Sequence, residues 1–313
     1  MHRVEKKYFK NFIPKVSGII KKDFNISSLT WFKVGGKAEI FFMPKNKEDL
    51  INFLKKIGKD TPLKILGAGS NILVRDGGIR GVTISLVKSF SNISYLNNQK
   101  VYVGAGVNCI KLSRETASKS LEGLEFLSGI PGTVGGAIKM NAGAYGYETS
   151  DVLEKIVTVD RYGEIKEYEK KDLKMSYRKN LLNKNEIIIQ ALFKCKKGKK
   201  HIIQNSIKDL KKRREETQPI KLKTSGSTFK NPIKIKAWKL IKQSGCSNLK
   251  KGGAEVSSLH SNFLVNKGVA KAKDVEDLGK LIISKVKKKF GIKLNWEIQI
   301  IGTKNKYRKY FND

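Results

Sequence analysis

Residues 125–146 read EFLSGIPGTVGGAIKMNAGAYG. Six of these positions are glycine: Gly129, Gly132, Gly135, Gly136, Gly143 and Gly146. Glycine and alanine remove side-chain bulk, which lets a backbone lie flat against a large planar or phosphorylated ligand. Close packing of two backbones is the alternative; it explains two or three of these glycines readily and six less well. The run therefore favours a ligand site.

A shorter glycine loop, GAGSN (67–71), follows the predicted buried strand LKILG (63–67). Its consecutive backbone N–H groups can converge on an anion such as a diphosphate, and Ser70 and Asn71 add side-chain donors. The loop matches neither the GxGxxG fingerprint nor the P-loop, so both of those nucleotide-binding readings are excluded. An ordinary tight turn remains the alternative.

Short predicted strands and helices alternate around these loops, which indicates an α+β organisation. The predicted strands are AEIFFMP (38–44), 63–67, GVTISL (81–86), VYVGAG (101–106), EKIVTVD (154–160), EIKEYE (164–169), SNFLVN (261–266) and LNWEIQIIG (294–302). The predicted helices are 47–58, 109–120, 236–245 and 274–291, with a polar helix ended by Pro219 inside the boundary segment 196–219. We expect residues 1–25 to form an irregular arm with at most one short helix. We expect the last two strands to give the C-terminal part its own small sheet.

The charge balance is strongly basic, with 64 Lys+Arg against 28 Asp+Glu and a formal net charge of +36 over 313 residues. Only nine of the basic residues are arginine. A phosphate-reading surface normally uses the planar, bidentate guanidinium at least as much as the ammonium. We therefore interpret the excess mainly as a lysine-rich coding bias. A nucleic-acid surface and a field that attracts anionic ligands are the alternatives.

Several function classes are disfavoured. The chain has three cysteines and no CxxC pair, which argues against a disulfide framework or structural zinc. Its three histidines lack the spacing of a metal hydrolase or a Ser/His/Asp triad. No secretory signal and no run of about 20 apolar residues is present. The sequence predicts a soluble cytoplasmic protein without a metal site.

Four polar positions are candidates for chemistry: Arg178 after Tyr177, Ser227 in SGSTF, Glu297 in the last predicted strand, and His260. An arginine can polarise a carboxylate, a serine hydroxyl can relay a proton, and a glutamate in an apolar strand can join a proton network. A surface arginine, a turn serine, a solvent-facing glutamate and a structural histidine are the ordinary alternatives.

Seven ordered motifs make the chain similar to the UDP-N-acetylenolpyruvoylglucosamine reductase family. They are TWFKVGGKAE (30–39), LGAGSNILVRDGGIRGVTI (66–84), GLEFLSGIPGTVGGAIKMNAGAYG (123–146), YRKN (177–180), SGSTFKNP (225–232), GGAEVSSLHSNFLVNKG (252–268) and LNWEIQIIG (294–302). The resemblance implies an α+β chain with an FAD-binding domain of the vanillyl-alcohol-oxidase type, made of two α+β subdomains, and a C-terminal α+β substrate-binding subdomain. The implied bounds are an arm at 1–25, the FAD-binding domain at 26–198 with subdomains of about 26–86 and 87–198, the C-terminal domain at 199–303 and a basic tail at 304–313.

The resemblance also implies an activity. Non-covalent FAD and NADPH would reduce UDP-N-acetylglucosamine enolpyruvate to UDP-N-acetylmuramate in peptidoglycan precursor synthesis. The chain would be a cytoplasmic monomer with no nucleic-acid partner and no membrane span. Another flavin oxidase or dehydrogenase on the same FAD-binding fold is the alternative.

The resemblance assigns site residues by matched position. The implied catalytic residues are Arg178 and Glu297, which would stabilise an enolic intermediate, and Ser227, which would deliver a proton. The implied cofactor-binding residues are Gly67, Ala68, Gly69, Ser70, Asn71, Ser128, Gly129, Ile130, Pro131, Gly132, Gly135, Gly136, Ala137 and Asn141. The implied substrate-binding residues are Tyr177, Asn231 and His260. Two positions depart from the pattern: Leu29 replaces an asparagine, and Asn180 replaces a serine, so we expect Arg178 to be oriented by a different partner.

Overall fold

The structure, a computed structural model, describes residues 13–304. The first twelve residues of the predicted arm and residues 305–313 of the predicted tail lie outside the described part. The chain divides into two compact units, each assembled from separated segments. Within the described residues, the first unit comprises 13–24, 38–67 and 80–207, and the second comprises 25–37, 68–79 and 208–304. This division differs from the linear bounds expected from the sequence, because 25–37 and 68–79 belong to the second unit.

The α-helices are α1 Lys47–Lys56, α2 Cys109–Ser118, α3 Val134–Lys139, α4 Thr149–Val152, α5 Lys200–Thr217, α6 Ala237–Gln243 and α7 Ala272–Phe290. The 3-10 helices are Ile26–Leu29, Glu125–Gly129 and Lys170–Leu173. The strands are β1 Ile19–Asn25, β2 Lys37–Met43, β3 Leu63–Leu66, β4 Ile72–Val74, β5 Ile79–Ser85, β6 Ile93–Tyr95, β7 Lys100–Gly104, β8 Leu121–Glu122, β9 Gly143–Ala144, β10 Tyr147–Glu148, β11 Leu153–Val159, β12 Ile165–Glu169, β13 Ile187–Lys194, β14 Lys196–Lys197, β15 Lys250–Lys251, β16 Ala254–Val256, β17 Leu264–Asn266 and β18 Gln299–Ile301.

The first unit contains two main sheets. One has the strand order β1-β2-β5-β3, and the other is an antiparallel sheet in the order β12-β11-β13-β7-β6. Helix α1 forms where the sequence predicts it. Asn46 caps its N-terminus by accepting from the Asp49 N–H, and Leu50, Phe53 and Leu54 share one buried face. Buried aliphatic and aromatic side chains of these elements form one continuous core.

Two sequence predictions fail in this unit. The predicted arm contains strand β1, an edge strand whose Lys21 and Lys22 are exposed and whose Phe24 ring stacks on Phe41 at 4.6 Å. Charged residues are tolerated at a sheet edge, so the strand has no clear apolar alternation. Strand β3 was expected to be buried, yet only Leu66 is fully buried and Ile65 is 44% exposed.

The second unit has its own core, built mainly from α6, α7 and the antiparallel sheet β15-β16-β17. Helix α7 ends as predicted, with Gly291 in the left-handed region at φ +69. The sequence analysis expected strand β18 to join the sheet that contains β17, and this prediction is wrong. Strand β18 pairs in parallel with β4, with Gln299, Ile300 and Ile301 opposite Ile72, Leu73 and Val74. A parallel partner so distant in the chain leaves no local sequence signal. Between residues 13 and 304, no helix combines the length and apolarity needed to cross a bilayer.

Candidate active site

Arg178 lies in a strained hairpin loop of the first unit. The Ser176 and Lys179 backbones exchange hydrogen bonds of 2.9 and 3.0 Å, so Tyr177 and Arg178 form the loop between them. Arg178 has φ +55, a left-handed conformation that costs a non-glycine residue about 1–2 kcal/mol. Such strain persists only where surrounding contacts fix it, and it clusters at functional sites.

Main-chain acceptors fix the Arg178 guanidinium. Its two terminal nitrogens donate to the carbonyls of Asn141 and Gly143, each at 3.3 Å, and the group lies 5.0 Å from the Tyr177 ring centroid. Asn141 is fully buried at φ +39, and its side-chain amide donates to Glu148 at 2.8 Å and to the Ser176 carbonyl at 3.2 Å. The Asn141 side chain therefore ties the Arg178 hairpin to the segment that follows α3.

Within the described part of the chain, the Asn141 and Gly143 carbonyls are the guanidinium partners of Arg178 that the replacement of serine by Asn180 led us to expect. Asn180 itself holds the hairpin that carries Arg178. Its side-chain amide donates to the carbonyls of Ile138 and Lys139 at 2.9 and 3.0 Å, and its Oδ1 accepts from the Leu182 N–H at 3.1 Å. Both carbonyls belong to the C-terminal end of α3. The Lys139 ammonium donates to the Leu182 carbonyl at 3.1 Å, and burial lowers the pKa of Lys139.

In the second unit the structure brings the backbones of Ser227 and Glu297 onto neighbouring segments. The Glu297 N–H donates to the Thr228 carbonyl at 2.8 Å, and the Lys230 N–H donates to the Asn295 carbonyl at 2.9 Å. Ser227 itself pairs in a β-bridge with Phe263. Glu297 precedes β18 instead of lying within a strand, which corrects the sequence prediction. Arg178 belongs to the other unit.

Sequence reasoning missed Asn262, which fixes the segment after Ser227. The Asn262 side chain accepts from the Phe229 N–H at 3.0 Å and donates to the Phe229 carbonyl at 2.8 Å, and its own carbonyl accepts from the Thr228 N–H at 2.7 Å. The residue is 3% exposed. Its only signal in the sequence is an amide side chain beside the apolar run of β17.

The GAGSN loop is the predicted turn between β3 and β4. Gly69 has φ +67, and a Cβ there would strike the Leu29 carbonyl, so no other residue fits readily. The Gly69 carbonyl accepts from the Trp31 N–H at 3.0 Å. Asn71 donates its side-chain amide to the Glu297 carbonyl at 3.3 Å, and its own carbonyl accepts from the Gln299 N–H at 2.9 Å. Asn71 therefore links this loop to the segment of Glu297, in addition to its predicted role toward an anion.

Protein packing accounts for much of the glycine run. A Cβ on Gly129 would lie 2.7 Å from the Tyr145 ring, one on Gly143 would lie 2.6 Å from the Tyr147 carbonyl, and one on Gly135 would lie 3.0 Å from Ala105. Gly146 has φ +88, and with Tyr145 at φ +57 it forms the two-residue turn between β9 and β10. The density of glycine therefore has a structural cause at these four positions.

Two features of the same segment are not explained by packing within the protein and are available to a ligand. A Cβ on Gly136 would meet only the Thr133 hydroxyl, at 3.4 Å. The Ser128 hydroxyl is buried and has no hydrogen-bond partner within the described part of the chain. A buried hydroxyl without a partner is costly, so it marks a group that a ligand can satisfy.

Two of the predicted substrate-binding residues have structural roles. Asn231 accepts from the Ala237 N–H at 3.0 Å, at the start of α6. His260 accepts at Nδ1 from the Asn262 N–H at 3.2 Å and contacts the Phe263 ring at 4.7 Å, and burial lowers its pKa, so it is neutral at pH 7. Tyr177 is 45% exposed.

Comparison with known proteins gives consistent matches over both units. Residues 38–169 match the family model of an FAD binding domain, and residues 218–301 match that of the UDP-N-acetylenolpyruvoylglucosamine reductase C-terminal domain. The UDP-N-acetylenolpyruvoylglucosamine reductase of Rickettsia canadensis is 46% identical over 291 residues, which cover 93% of this chain and 98% of that protein. This chain belongs to the UDP-N-acetylenolpyruvoylglucosamine reductase family. The Rickettsia typhi reductase is 45% identical over 292 residues, covering 93% of this chain and 99% of that protein.

A solved structure of the reductase family extends the match to three dimensions. The crystal structure of the Thermus caldophilus UDP-N-acetylenolpyruvylglucosamine reductase superposes with a TM-score of 0.79 at 33% identity, covering 90% of this chain and 99% of that one. The predicted α+β class, with an FAD-binding domain and a C-terminal reductase domain, is confirmed. FAD is the cofactor of this domain. The Ser128 hydroxyl, which has no hydrogen-bond partner among residues 13–304, and the open position at Gly136 fit a bound cofactor.

Proposed function

We propose that this chain reduces UDP-N-acetylglucosamine enolpyruvate to UDP-N-acetylmuramate with NADPH, as a step of peptidoglycan precursor synthesis. The observation that carries the proposal is the 46% identity to a reductase over nearly the whole of both chains. The two family models add an FAD-binding part and a reductase-specific part in one polypeptide.

The reaction sets clear requirements for the side chains. FAD, when bound, supplies to the substrate the hydride that NADPH has delivered. Addition of hydride to the terminal methylene carbon moves the π electrons toward the carbon that bears the carboxylate, which gives an enolate. A proton then adds to that second carbon, so one NADPH and one proton are consumed for each lactyl ether formed.

We assign the stabilisation of the negative charge that develops on the substrate to Arg178 and Glu297. We assign the proton transfer to Ser227. Arg178 is held in advance by two carbonyls and its strained backbone, and a prearranged donor of this kind is worth about 2.7–4 kcal/mol in other enzymes. The hydrogen bond between Glu297 and Thr228 supports a joint role for Glu297 and Ser227. Ser128, Gly136 and the 67–71 loop are proposed to hold FAD, together with the remaining cofactor-binding residues named above.

Anaerobic stopped-flow measurements on Ser227→Ala test the assignment. We expect NADPH to reduce the flavin of this variant at the rate of the wild type, because that step needs no proton at the second carbon. Reoxidation by the enolpyruvyl UDP-sugar should slow by roughly 100-fold or more, as for other proton-transfer residues. Ser257→Ala is the control, since Ser257 is a buried serine of the same unit that carries no assigned role.

Two outcomes would refute the proposal. Equal loss of both steps in Ser227→Ala would make Ser227 structural. Wild-type protein that molecular oxygen reoxidises rapidly, and that the UDP-sugar does not reoxidise, would instead favour another flavin oxidase on the same fold.

The location, assembly and domain bounds are further parts of the proposal. NADPH and the UDP-sugar are water-soluble anions, which supports a cytoplasmic reaction. Each unit has its own buried core, which supports a monomer, and light scattering of the purified protein tests that assignment. We propose the FAD-binding domain at 26–198 and the substrate-binding domain at 199–303, without a nucleic-acid partner.

A further inference from the structure

Helix α7 carries a glycine where the ring of Trp296 packs against it. Gly279 is buried in the interior of this 19-residue helix. A Cβ at Gly279 would lie 2.7 Å from Cζ3 and 2.9 Å from Cζ2 of Trp296, and nearer still to Cη2. Carbon atoms in contact normally lie about 3.5–4.0 Å apart. Glycine is the least favourable helix residue after proline. The space that it leaves for the indole explains why a glycine stands at this position.

The same indole also packs against Phe229. The two ring centroids lie 5.0 Å apart with an interplanar angle of 40°, and Phe229 is 1% exposed. Trp296 therefore contacts both the helix and the segment that follows Ser227. An indole has only two side-chain torsions, so a ring in contact with both neighbours has little freedom to move aside.

Backbone hydrogen bonds connect the Trp296 segment to the segment that carries Ser227. Phe229 and Trp296 are partners in a β-bridge. Glu297 follows Trp296 directly, and its N–H is bonded to the carbonyl of Thr228, the residue after Ser227. A displaced indole would thus shift the chain that carries Glu297 relative to the chain that carries Ser227.

We propose that Gly279 and Trp296 are positioning residues that set the spacing between Ser227 and Glu297. This inference rests on the proposed function, since it concerns the step in which those two residues act. Neither Gly279 nor Trp296 is assigned a contact with the substrate or with FAD.

Gly279→Ala in the holoenzyme tests the inference. We expect the added methyl to displace the indole and to slow reoxidation by the enolpyruvyl UDP-sugar by roughly 10- to 100-fold, the loss that a displacement of about 1 Å can cause. Reduction by NADPH should stay within about twofold of the wild type. The double variant Gly279→Ala/Trp296→Phe should recover most of the reoxidation rate, because the smaller phenyl ring leaves room for the methyl.

Val286→Ala is the matched control, because Val286 is a fully buried residue of the same helix, and its truncation destabilises the same core without adding an atom against the Trp296 ring. It should lower Tm and leave both half-reaction rates unchanged. Gly279→Ala with unchanged reoxidation, or with the profile of Val286→Ala, would refute the inference while leaving the proposed function intact. Wild-type protein that the UDP-sugar fails to reoxidise would refute the proposed function, and the inference with it.

Discussion

The ion pair between Arg75 and Glu276 should make a measurable, pH-dependent contribution to the stability of the second unit. Arg75 Nε lies 2.8 Å from Glu276 Oε2, its Nη2 lies 3.2 Å from Oε1, and Lys280 Nζ lies 2.7 Å from Oε1. The Glu276 side chain is 7% exposed. The hydrogen bond from Arg75 is the largest cause of a lowered pKa at the Glu276 carboxyl, which falls from 4.5 to about 2. Burial opposes this lowering, and the hydrogen bond from Lys280 adds to it.

This shift converts into a stability difference with a definite sign. At about 1.4 kcal/mol per pKa unit, this lowering of the Glu276 pKa corresponds to roughly 3 kcal/mol in the free energy of unfolding. Because the pKa of Glu276 is lower in the folded state, the stabilisation is fully present above the unfolded pKa of 4.5 and is lost as the pH falls toward 2. Glu276→Gln should therefore lower the free energy of unfolding by about 3 kcal/mol near pH 7 and by about 2 kcal/mol near pH 3.5.

Urea unfolding followed by tryptophan fluorescence measures this difference. Trp31, Trp238 and Trp296 all lie in the second unit, so their emission reports on the unit that holds the ion pair. Asp277→Asn is the control on the same helix. Asp277 pairs with the exposed Lys273 and, at 4.0 Å, with the half-exposed Lys280, so it should contribute at most about 1 kcal/mol. A gap between wild type and Glu276→Gln that stays constant from about pH 7 to pH 3.5 would contradict the reasoning.

Two further predictions concern the first unit. Asn180→Ala should slow reoxidation by the UDP-sugar and spare reduction by NADPH, because it removes the bonds that hold the Arg178 hairpin to the end of α3; stopped-flow rates that match the wild type in both steps would make Asn180 dispensable. Burial raises the pKa of the Cys109 and Cys195 thiols to about 12, so a thiol reagent near pH 8 should label neither until the protein is denatured, and rapid labelling of the native protein would show that these thiols are accessible.

Local patterns predicted the elements whose signal is contained within one stretch of sequence. Helices α1 and α7 follow their apolar spacing, since capping and periodicity act within one or two turns. Helix α7 ends at Gly291 as predicted, whereas α1 ends at Lys56, two residues before the predicted end. Pairing between distant segments left no such signal. Strand β18 therefore appeared as a partner of β17, and Glu297 appeared as a strand residue.

The candidate site shows the same division. Motifs identified Arg178, Ser227 and Glu297, but the residues that hold them became visible only in three dimensions. The side chains of Asn262 and Asn180 act through hydrogen bonds to main-chain groups, and Gly279 acts through the space that its missing side chain leaves. None of these roles has a periodicity or a spacing that a single sequence reveals.

The parallel pairing of β4 with β18 also has a consequence for how the protein is made. Asn71 and Glu297 are 226 positions apart, so at about 5–20 residues per second the ribosome needs roughly 10–45 s to supply the partner of the GAGSN loop after making the loop itself. During that interval the backbone groups of β4 lack their parallel neighbour. Because we propose that the GAGSN loop helps to hold FAD, we expect a nascent chain to acquire tight affinity for its flavin only after residues 299–301 have emerged. Loading of the cofactor would then follow translation of the reductase domain instead of accompanying it.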